Sequence, residues 1–280
     1  MIYFVRIAGL VCSASWLMAV PSAIVAQSLP QPEGYDALTT IAPAAVSPYD
    51  FAILGVKPGM AIEDALALIE THLSKELLPV GGTLQVTSPE GKTFRSELRV
   101  SYETPGIDYF LRNQSQEPYD SVTIDVSTPA IGSVVTAIRR EVRVSASEGP
   151  DMASLNAQRV GLYGPHSDLP DAFGEMWRWA LDRDYAPIPM PEPYNRLSYQ
   201  ACAYDLPSDG RFSYGAAPAL CDDRNCGMSY TAEYSTKGAV AITMNFRLID
   251  YNLIVQDREA AMRLIDETLN TEIEPADMDL

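Results

Sequence analysis

One short stretch of the chain brings together the three residue types of nucleophilic catalysis. Pro165-His166-Ser167-Asp168 supplies an imidazole, a hydroxyl and a carboxylate in consecutive residues. Catalytic triads, however, are assembled from separate parts of a fold, because neighbours along the chain rarely reach the required geometry. The chain also has no Gly-x-Ser-x-Gly nucleophile elbow. We therefore expect His166 to lie in a turn without a catalytic role. The alternative is that the chain is an envelope hydrolase that uses carboxylates or His166.

Motifs for metal, phosphate and redox chemistry are missing from the sequence. There is no His-Glu-x-x-His helix, no phosphate-binding glycine-rich loop with a lysine and no Cys-x-x-Cys pair. Residues 205–210 are similar to the start of a calcium loop, but Ala216 stands where the bidentate glutamate is needed. With 37 acidic residues in the chain, a glycosidase-type acid pair stays open. We predict no catalytic motif, no metal and no cofactor.

Three cysteines follow the N-terminal segment: Cys202, Cys221 and Cys226. In an oxidising compartment the simplest arrangement is one disulfide and one remaining thiol. We favour Cys202 bonded to one of the other two, because it lies on a predicted strand while Cys221 and Cys226 bracket a short loop. The alternative is a metal site of two thiolates with Asp222 or Asp223, but zinc sites take four ligands with tighter spacing.

Aromatic residues crowd the region around these cysteines. Exposed tyrosines favour contacts with proteins or glycans. Packing beneath the loops as a small satellite core is the alternative. We expect a binding site between residues 194 and 230, and the candidate binding residues are Tyr194, Tyr199, Tyr204, Phe212 and Tyr214.

The N-terminal segment has the pattern of an export signal. Residues 1–6 carry one positive charge and no acid, and residues 7–26 are apolar or small, with Pro21 near the end and Ala26 before Gln27. This pattern predicts a cleavable signal peptide over residues 1–26 and a periplasmic or secreted protein. An uncleaved anchor is the alternative. No other stretch could span a bilayer, so we expect no stable membrane span after cleavage.

The charge balance restricts the class of partner. The formal net charge is −17 at pH 7, with 20 basic and 37 acidic residues. Such a chain repels phosphate backbones and anionic lipids, so the sequence argues against nucleic-acid binding. We expect an envelope protein or a small ligand as the partner.

Hydrophobic periodicity predicts three helices. Apolar residues at Ile62, Leu66, Ile69, Leu73 and Leu77 fall on one helical face. This helix should stop at the Pro79 and Gly81-Gly82 sequence. A second helix should run from Pro150-Asp151 to Tyr163-Gly164-Pro165, and a third should begin near Asp257 and bury Ala261 or Met262, Ile265 and Leu269.

Alternating apolar residues predict strands between these helices. They include Leu98, Val100 and Tyr102 on one face, a strand over 197–206, and a hairpin of 228–235 and 239–248 around the turn 236–238. In the last strand Val240, Ile242, Met244, Phe246 and Leu248 should face one way. Hairpins of this kind give a sheet that is apolar on one side, so we predict an α+β fold with antiparallel sheet and helices packed on one face.

The order of the elements suggests two halves. Residues 121–164 and 229–272 both read strand, turn, strand, helix, although no residue-level repeat is evident. We expect a signal peptide over 1–26, an extended linker over 27–50, a first α+β half over 51–166, a second half with the cysteine loop over 167–273, and an acidic tail over 274–280.

The segment from Ile53 to Met60 leads directly into the first helix. It resembles the opening of small exported bacterial α/β domains, such as outer-membrane assembly lipoproteins and β-lactamase inhibitor proteins, in which a Gly-Met-Ser or Gly-Met-Thr step caps the first helix. Ala61 departs from that pattern because it has no hydroxyl. Leu162-Tyr163-Gly164-Pro165 resembles a step in uncharacterised proteobacterial secreted proteins. The resemblance implies a periplasmic interaction domain without catalytic residues.

Overall fold

The computed structural model describes residues 50–87, 91, 93–105, 117–164, 167–171, 174–188 and 226–270. These residues contain eight strands, all paired antiparallel, in one sheet. The strands are β1 (Leu78–Thr87), β2 (Thr93–Glu103), β3 (Tyr119–Val126), β4 (Val135–Arg143), β5 (Ser167–Asp171), β6 (Gly174–Asp182), β7 (Cys226–Lys237) and β8 (Val240–Asp250). Their order across the sheet is β1-β2-β3-β4-β8-β7-β6-β5. The predicted α+β class with an antiparallel sheet is confirmed.

Two four-stranded meanders, β1–β4 and β5–β8, join through the pairing of β4 with β8, which we call the seam. Helix α1 (Ile62–Leu73) precedes the first meander and α2 (Met152–Tyr163) precedes the second. The residue before each helix forms the same kind of bridge, Ala61 to Val134 and Asp151 to Val240. Each half is therefore a helix followed by four strands, and both lie in one continuous sheet.

The two faces of the sheet are covered differently. Helices α1 and α2 pack on one face, through residues such as Ile69 and Met152, against the apolar residues of the central strands. We call this the apolar face. The third helix, α3 (Tyr251–Asn270), packs Tyr251 against Ala137 and Ile249, which alternate with the apolar-face residues of β4 and β8. The predicted one-face arrangement thus describes α1 and α2, whereas α3 lies against the opposite side.

Helix α3 begins earlier than the sequence predicted. It starts at Tyr251 rather than near Asp257, because the Asp250 side chain accepts a hydrogen bond from the Leu253 backbone N–H at 3.0 Å and caps the first turn. Asp257 lies inside the helix, where its carboxylate accepts hydrogen bonds from the backbone N–H and the hydroxyl of Thr128. Both aspartates are 1% exposed. Two buried carboxylates therefore attach α3 to the sheet and to the β3–β4 connection.

None of the helices in the described part of the chain is both long and apolar enough to cross a membrane.

Two β-bulges overturn the predicted alternation. Val100 on β2 has no residue opposite it on β1, because Val80 pairs with Ser101 and Gly81 pairs with Arg99. From Phe94 to the bulge at Val100, the apolar residues of β2 pack against α3. After the bulge, Tyr102 packs on the apolar face. The residues that pack on α3 are Phe94, Leu98 and Val100.

On β8 the second bulge leaves Ile242 unopposed, since Ser235 pairs with Thr243 and Thr236 pairs with Ala241. Ala241 is therefore fully buried, while Val240 and Ile242 are half-buried. The prediction that Val240 and Ile242 share a face with Met244 was wrong for this reason.

Helix boundaries follow their caps. The predicted bounds of α2 are confirmed: Asp151 accepts a hydrogen bond from the Ser154 backbone N–H at 2.9 Å, and Gly164 follows the last turn. Helix α1 ends at Leu73, where Ser74 adopts a left-handed conformation with φ 52°. It ends before Pro79 and the two glycines, which lie inside β1. As an edge strand, β1 tolerates a proline and glycines that a central strand would not.

The uncapped start of α1 predicts a stabilising substitution. Ala61 occupies the N-cap position without a side-chain hydrogen bond, whereas the equivalent position of α2 is Asp151. We expect Ala61→Ser to raise the free energy of unfolding by about 0.5–1 kcal/mol in urea titrations, because serine accepts a bond from an unpaired N–H of the first turn. The control is Ala67→Ser on the exposed side of the same helix, which should lower stability slightly. Equal effects of the two substitutions would contradict the capping explanation.

The buried cap of α3 predicts a pH dependence. Burial raises the pKa of Asp250 from 3.8 to about 6. Between about pH 4 and pH 6 the folded protein holds a proton that the unfolded chain has released, so the free energy of unfolding falls as the pH rises through this range. Asp250→Asn keeps a capping side chain but cannot titrate. In urea titrations, wild type should lose on the order of 2 kcal/mol relative to this variant between about pH 4 and pH 6.5.

A second variant checks that Asp250 is the group responsible. The Tyr185 hydroxyl donates a hydrogen bond to Asp250 at 3.1 Å, and this bond lowers the pKa of the carboxyl. Tyr185→Phe should therefore move the loss of stability to higher pH. A difference between wild type and Asp250→Asn that stays constant with pH would rule out this assignment.

Candidate functional site

The residues predicted to bind a partner lie outside the described residues. This applies to Tyr194, Tyr199, Tyr204, Phe212 and Tyr214, to Cys202 and Cys221, and to His166. Ser167 and Asp168 are the first residues of β5 and pair with Arg178 and Trp177. The hydrolase alternative therefore stays a prediction.

The described end of the predicted aromatic region belongs to the core. Cys226 is 1% exposed at the start of β7, and its predicted disulfide stays a prediction. Tyr230 is fully buried, with ring centroids 5.2 Å from Tyr163, 5.6 Å from Phe51 and 5.4 Å from Trp179. Arg159 of α2 lies over its ring at 5.6 Å. Burial raises the pKa of Tyr230 above its usual range. At Tyr230 the region is thus a packed aromatic cluster beneath α2 and not a free surface.

The opposite side of the sheet carries a group of charged residues that lie on neighbouring strands. On six neighbouring strands, β2, β3, β4, β8, β7 and β6, the residues of this side lie opposite one another in rows that cross the strands. We call this side the polar face. One row runs through Glu103, Thr123, Arg139, Arg247, Thr231 and Arg178. Thr231 and Arg178, at the β6 end of this row, are buried. The neighbouring rows contribute Asp125, Glu141, Arg143, Glu233 and Asn245.

Charge on the polar face is balanced within it. These positions hold four arginines and four acids, so the face is formally neutral although the chain has a net charge of −17. Arg139 donates to Asp125 at 2.5 Å, and Arg247 lies 3.7 Å from Glu233. The Tyr119 hydroxyl donates to Glu141, and the Arg143 guanidinium lies 5.5 Å from the centre of the Tyr119 ring.

Arg139 and Arg247 lie directly opposite each other across the seam. We call them the arginine pair. Like charges in directly opposed positions repel, so this pairing is unfavourable unless other charges offset it. The offsetting acids come from the outer neighbours of the seam, Asp125 from β3 and Glu233 from β7. The side chain of Arg139 is 20% exposed and that of Arg247 is 33% exposed, so both are partly accessible.

The two halves present this arrangement with matching residues. Thr123 pairs with Arg139 in one hairpin and Thr231 pairs with Arg247 in the other. Each of these residues in the first half is separated from its counterpart in the second half by the same number of residues along the chain. The matching residues are Ser121 and Ser229, Thr123 and Thr231, Asp125 and Glu233, Ser127 and Ser235, Thr128 and Thr236, and Arg139 and Arg247. These positions form a partial residue-level repeat that we did not predict.

A pseudo-two-fold axis passes through the arginine pair. On one side of the arginine pair Ile138 lies opposite Leu248, and on the other side Arg140 lies opposite Phe246. A two-fold rotation about the arginine pair exchanges these two pairings. The axis is perpendicular to the sheet, because it exchanges two antiparallel neighbours of the same sheet. The repeat in the sequence, Ser-x-Thr-x-acid-x-Ser-Thr followed by an arginine, was the signal that could have located the site.

The carboxylate nearest the end of the row has a raised pKa. Burial raises the pKa of Glu103, and the negative charge of Asp125 raises it further, while Arg139 and a hydrogen bond from Ser101 lower it. Among the described residues no group of three or more histidines, cysteines or acids is placed to hold a metal ion. The chemistry that the face offers is therefore that of guanidinium, carboxylate and hydroxyl groups.

Comparison with known protein families, curated proteins and solved structures finds no match for this chain. The predicted resemblance to exported interaction domains stays a prediction.

The two ion pairs should contribute unequally to stability. Asp125 is closer to its arginine and more buried than Glu233. We expect Asp125→Asn to lower the free energy of unfolding by about 1 kcal/mol and Glu233→Gln by about half as much, since each removes a charge that offsets the arginine pair. The measurement is urea denaturation at low salt and in 1 M NaCl, where screening should reduce both losses.

The control for these variants is Glu259→Gln, on an exposed position of α3. It should leave stability within experimental error of wild type. Losses that are equal for the three variants, or that do not change with salt, would contradict the role given to the two acids.

Proposed function

We propose that this protein is an exported binding module of the cell envelope, periplasmic or secreted, that contacts its partner through the polar face. The export pattern of residues 1–26 supports the compartment. The net negative charge argues against nucleic acid and anionic lipid as partners. The observation that carries the proposal is the polar face itself, which is built from matching residues in both halves.

The requirements of folding alone do not explain the charged residues of the polar face. A sheet needs only one apolar side to fold against its helices, and the other side can carry any soluble residues. Here the polar face places arginines opposite each other and balances them with partly buried acids. Such an arrangement lowers stability relative to scattered surface charges, because half-buried charges lose hydration and like charges repel. A binding role explains why both halves retain it.

The size of the polar face fits the centre of a protein interface. Six strands span about 24 Å, and the rows from Ser101 to Tyr119 span about 20 Å along the strands. Because Ser101, Ser229, Thr231 and Arg178 are buried, the exposed part is smaller and centres on β3, β4 and β8, which suits the middle of a standard interface of ~800 Å² per partner. Neutral overall charge and pre-formed ion pairs suit a polar protein partner, which would meet side chains that are already oriented.

Site-specific photocrosslinking in intact cells that export the protein tests this proposal. A photoreactive residue at Asn245, in the middle of the polar face, should give a discrete adduct with one envelope component. The matched control carries the same residue at Glu70, on the exposed side of α1, and should give no such adduct. The adduct must form again from the two purified proteins and be lost with Arg247→Glu. Equal crosslinking from both positions would sink the proposal.

A further inference from the structure

We propose that two copies of this chain associate by packing α2 against α2 about a two-fold axis. The contact uses the side of α2 that points away from the sheet, which we call the outer face of α2. This inference goes beyond the proposed function, because α2 covers the apolar face and the polar face lies on the other side of the sheet. A dimer joined through α2 would therefore present two polar faces, one on each outward side.

The outer face of α2 carries no charged side chain. Its exposed residues are alanine, serine, glutamine, valine, glycine and leucine. The one charged residue within the helix, Arg159, is turned towards the sheet, where its guanidinium lies 4.9 Å from the centre of the Phe246 ring and 5.6 Å from that of Tyr230. The other two helices have exposed acids, such as Glu70 on α1 and Glu259 on α3. Because the chain has a net charge of −17, two copies repel each other overall, and the outer face of α2 lets them approach without opposing charges.

Two large apolar side chains of α2 are exposed near its C-terminal end. Val160 is 37% exposed and Leu162 is 63% exposed. Gly161 lies between them in the sequence, and a Cβ atom added to it would meet nothing within 4 Å. Glycine destabilises a helix relative to alanine, so packing within one copy gives no reason for glycine at this position. A second helix that packs closely on the outer face does give a reason, because small residues at a contact let two helix axes come near each other.

The spacing of these residues suits a second copy of the same helix. Ser154, Ala157 and Gly161 are small and lie along the middle of the outer face, at steps of three and four residues. Val160 lies on one flank of this line and Leu162 on the other, since successive helical residues are about 100° apart. About a two-fold axis at Ala157, Val160 of each copy would lie over residue 153 of the other, which is alanine. A branched side chain then meets a small one twice, so the surface is complementary to itself.

The size of the surface predicts a weak dimer. Helix α2 has 12 residues and is about 18 Å long, so one such contact buries well below the ~800 Å² per partner of a standard interface. We therefore expect a dissociation constant on the order of 50 μM. Even a weak dimer changes binding to a partner that has two sites, because the second polar face then binds at a high effective concentration.

Sedimentation equilibrium of the purified full chain, over about 5–500 μM, tests this proposal. The average mass should rise from monomer to dimer, and about 0.5 M NaCl should strengthen association by screening the repulsion between two acidic chains. Val160→Glu and Leu162→Glu should each raise the dissociation constant about tenfold or more, since they bring acids into the contact. The matched control is Leu68→Glu, at a leucine of α1 that is 40% exposed, and it should dimerise as wild type does. All three variants should keep the melting temperature of wild type, because their positions are exposed.

A fourth variant, Gly161→Leu, separates close packing from non-specific association. It adds exposed apolar area and favours the helix, so non-specific association would become stronger. A close contact at Gly161 instead predicts a dissociation constant about tenfold higher, because the larger side chain holds the two helices apart.

Three results would overturn the proposal: wild type that stays monomeric up to about 500 μM, glutamate variants that dimerise as wild type does, or equal loss of the dimer in Leu68→Glu. The binding function is judged separately, because photocrosslinking from Asn245 reports on the polar face. Its adduct should still form in Val160→Glu if the polar face binds a partner as proposed.

Discussion

The register of the seam is the constraint on which the rest of the structure depends. Ile138 and Leu248 are opposed and fully buried on the apolar face. If either strand slipped by one residue, its side chain would turn to the polar face, so burial fixes the register. Because alternation along a strand is strict at this point, fixing Ile138 against Leu248 also fixes Arg139 against Arg247. The repulsion in the arginine pair is thus a consequence of core packing and cannot be relieved by a shift of the strands.

The same seam explains why the helices are distributed unevenly. In each half, the helix that precedes the strands covers the apolar face, and the bridges from Ala61 and Asp151 hold both helices to the turns of the hairpins. In the described part of the chain, α3 is the helix that follows the last strand of the second half. Helix α3 follows β8 directly, with Asp250 as the cap of its first turn. It covers the end of the polar face next to Ile249. The arginine pair therefore lies beside a helix that is held by buried carboxylates.

Local signals predicted the elements that depend on local chemistry. The caps of α2, Asp151 and Gly164, lie in the sequence next to the helix that they bound, so its limits could be predicted. The run from Tyr251 to Val255 contains aromatic and β-branched residues, which favour a strand. For this reason the sequence did not indicate that α3 begins at Tyr251. The bulge at Val100 depends on β1, and the arginine pair depends on strands that are distant in sequence. Patterns within one strand cannot reveal which strand will lie opposite.

The two halves of the sheet agree at the pseudo-two-fold axis and differ at the flanks. Beyond Thr123 the row continues to Glu103, whereas beyond Thr231 it continues to Arg178. The row is therefore symmetric in its two central arginines and asymmetric in the residues that flank them. Burial and the charge of Asp125 raise the pKa of Glu103, so protonation of that end becomes easier than for an exposed glutamate. The row therefore ends in a carboxylate with a raised pKa on one side and in the guanidinium of the buried residue Arg178 on the other.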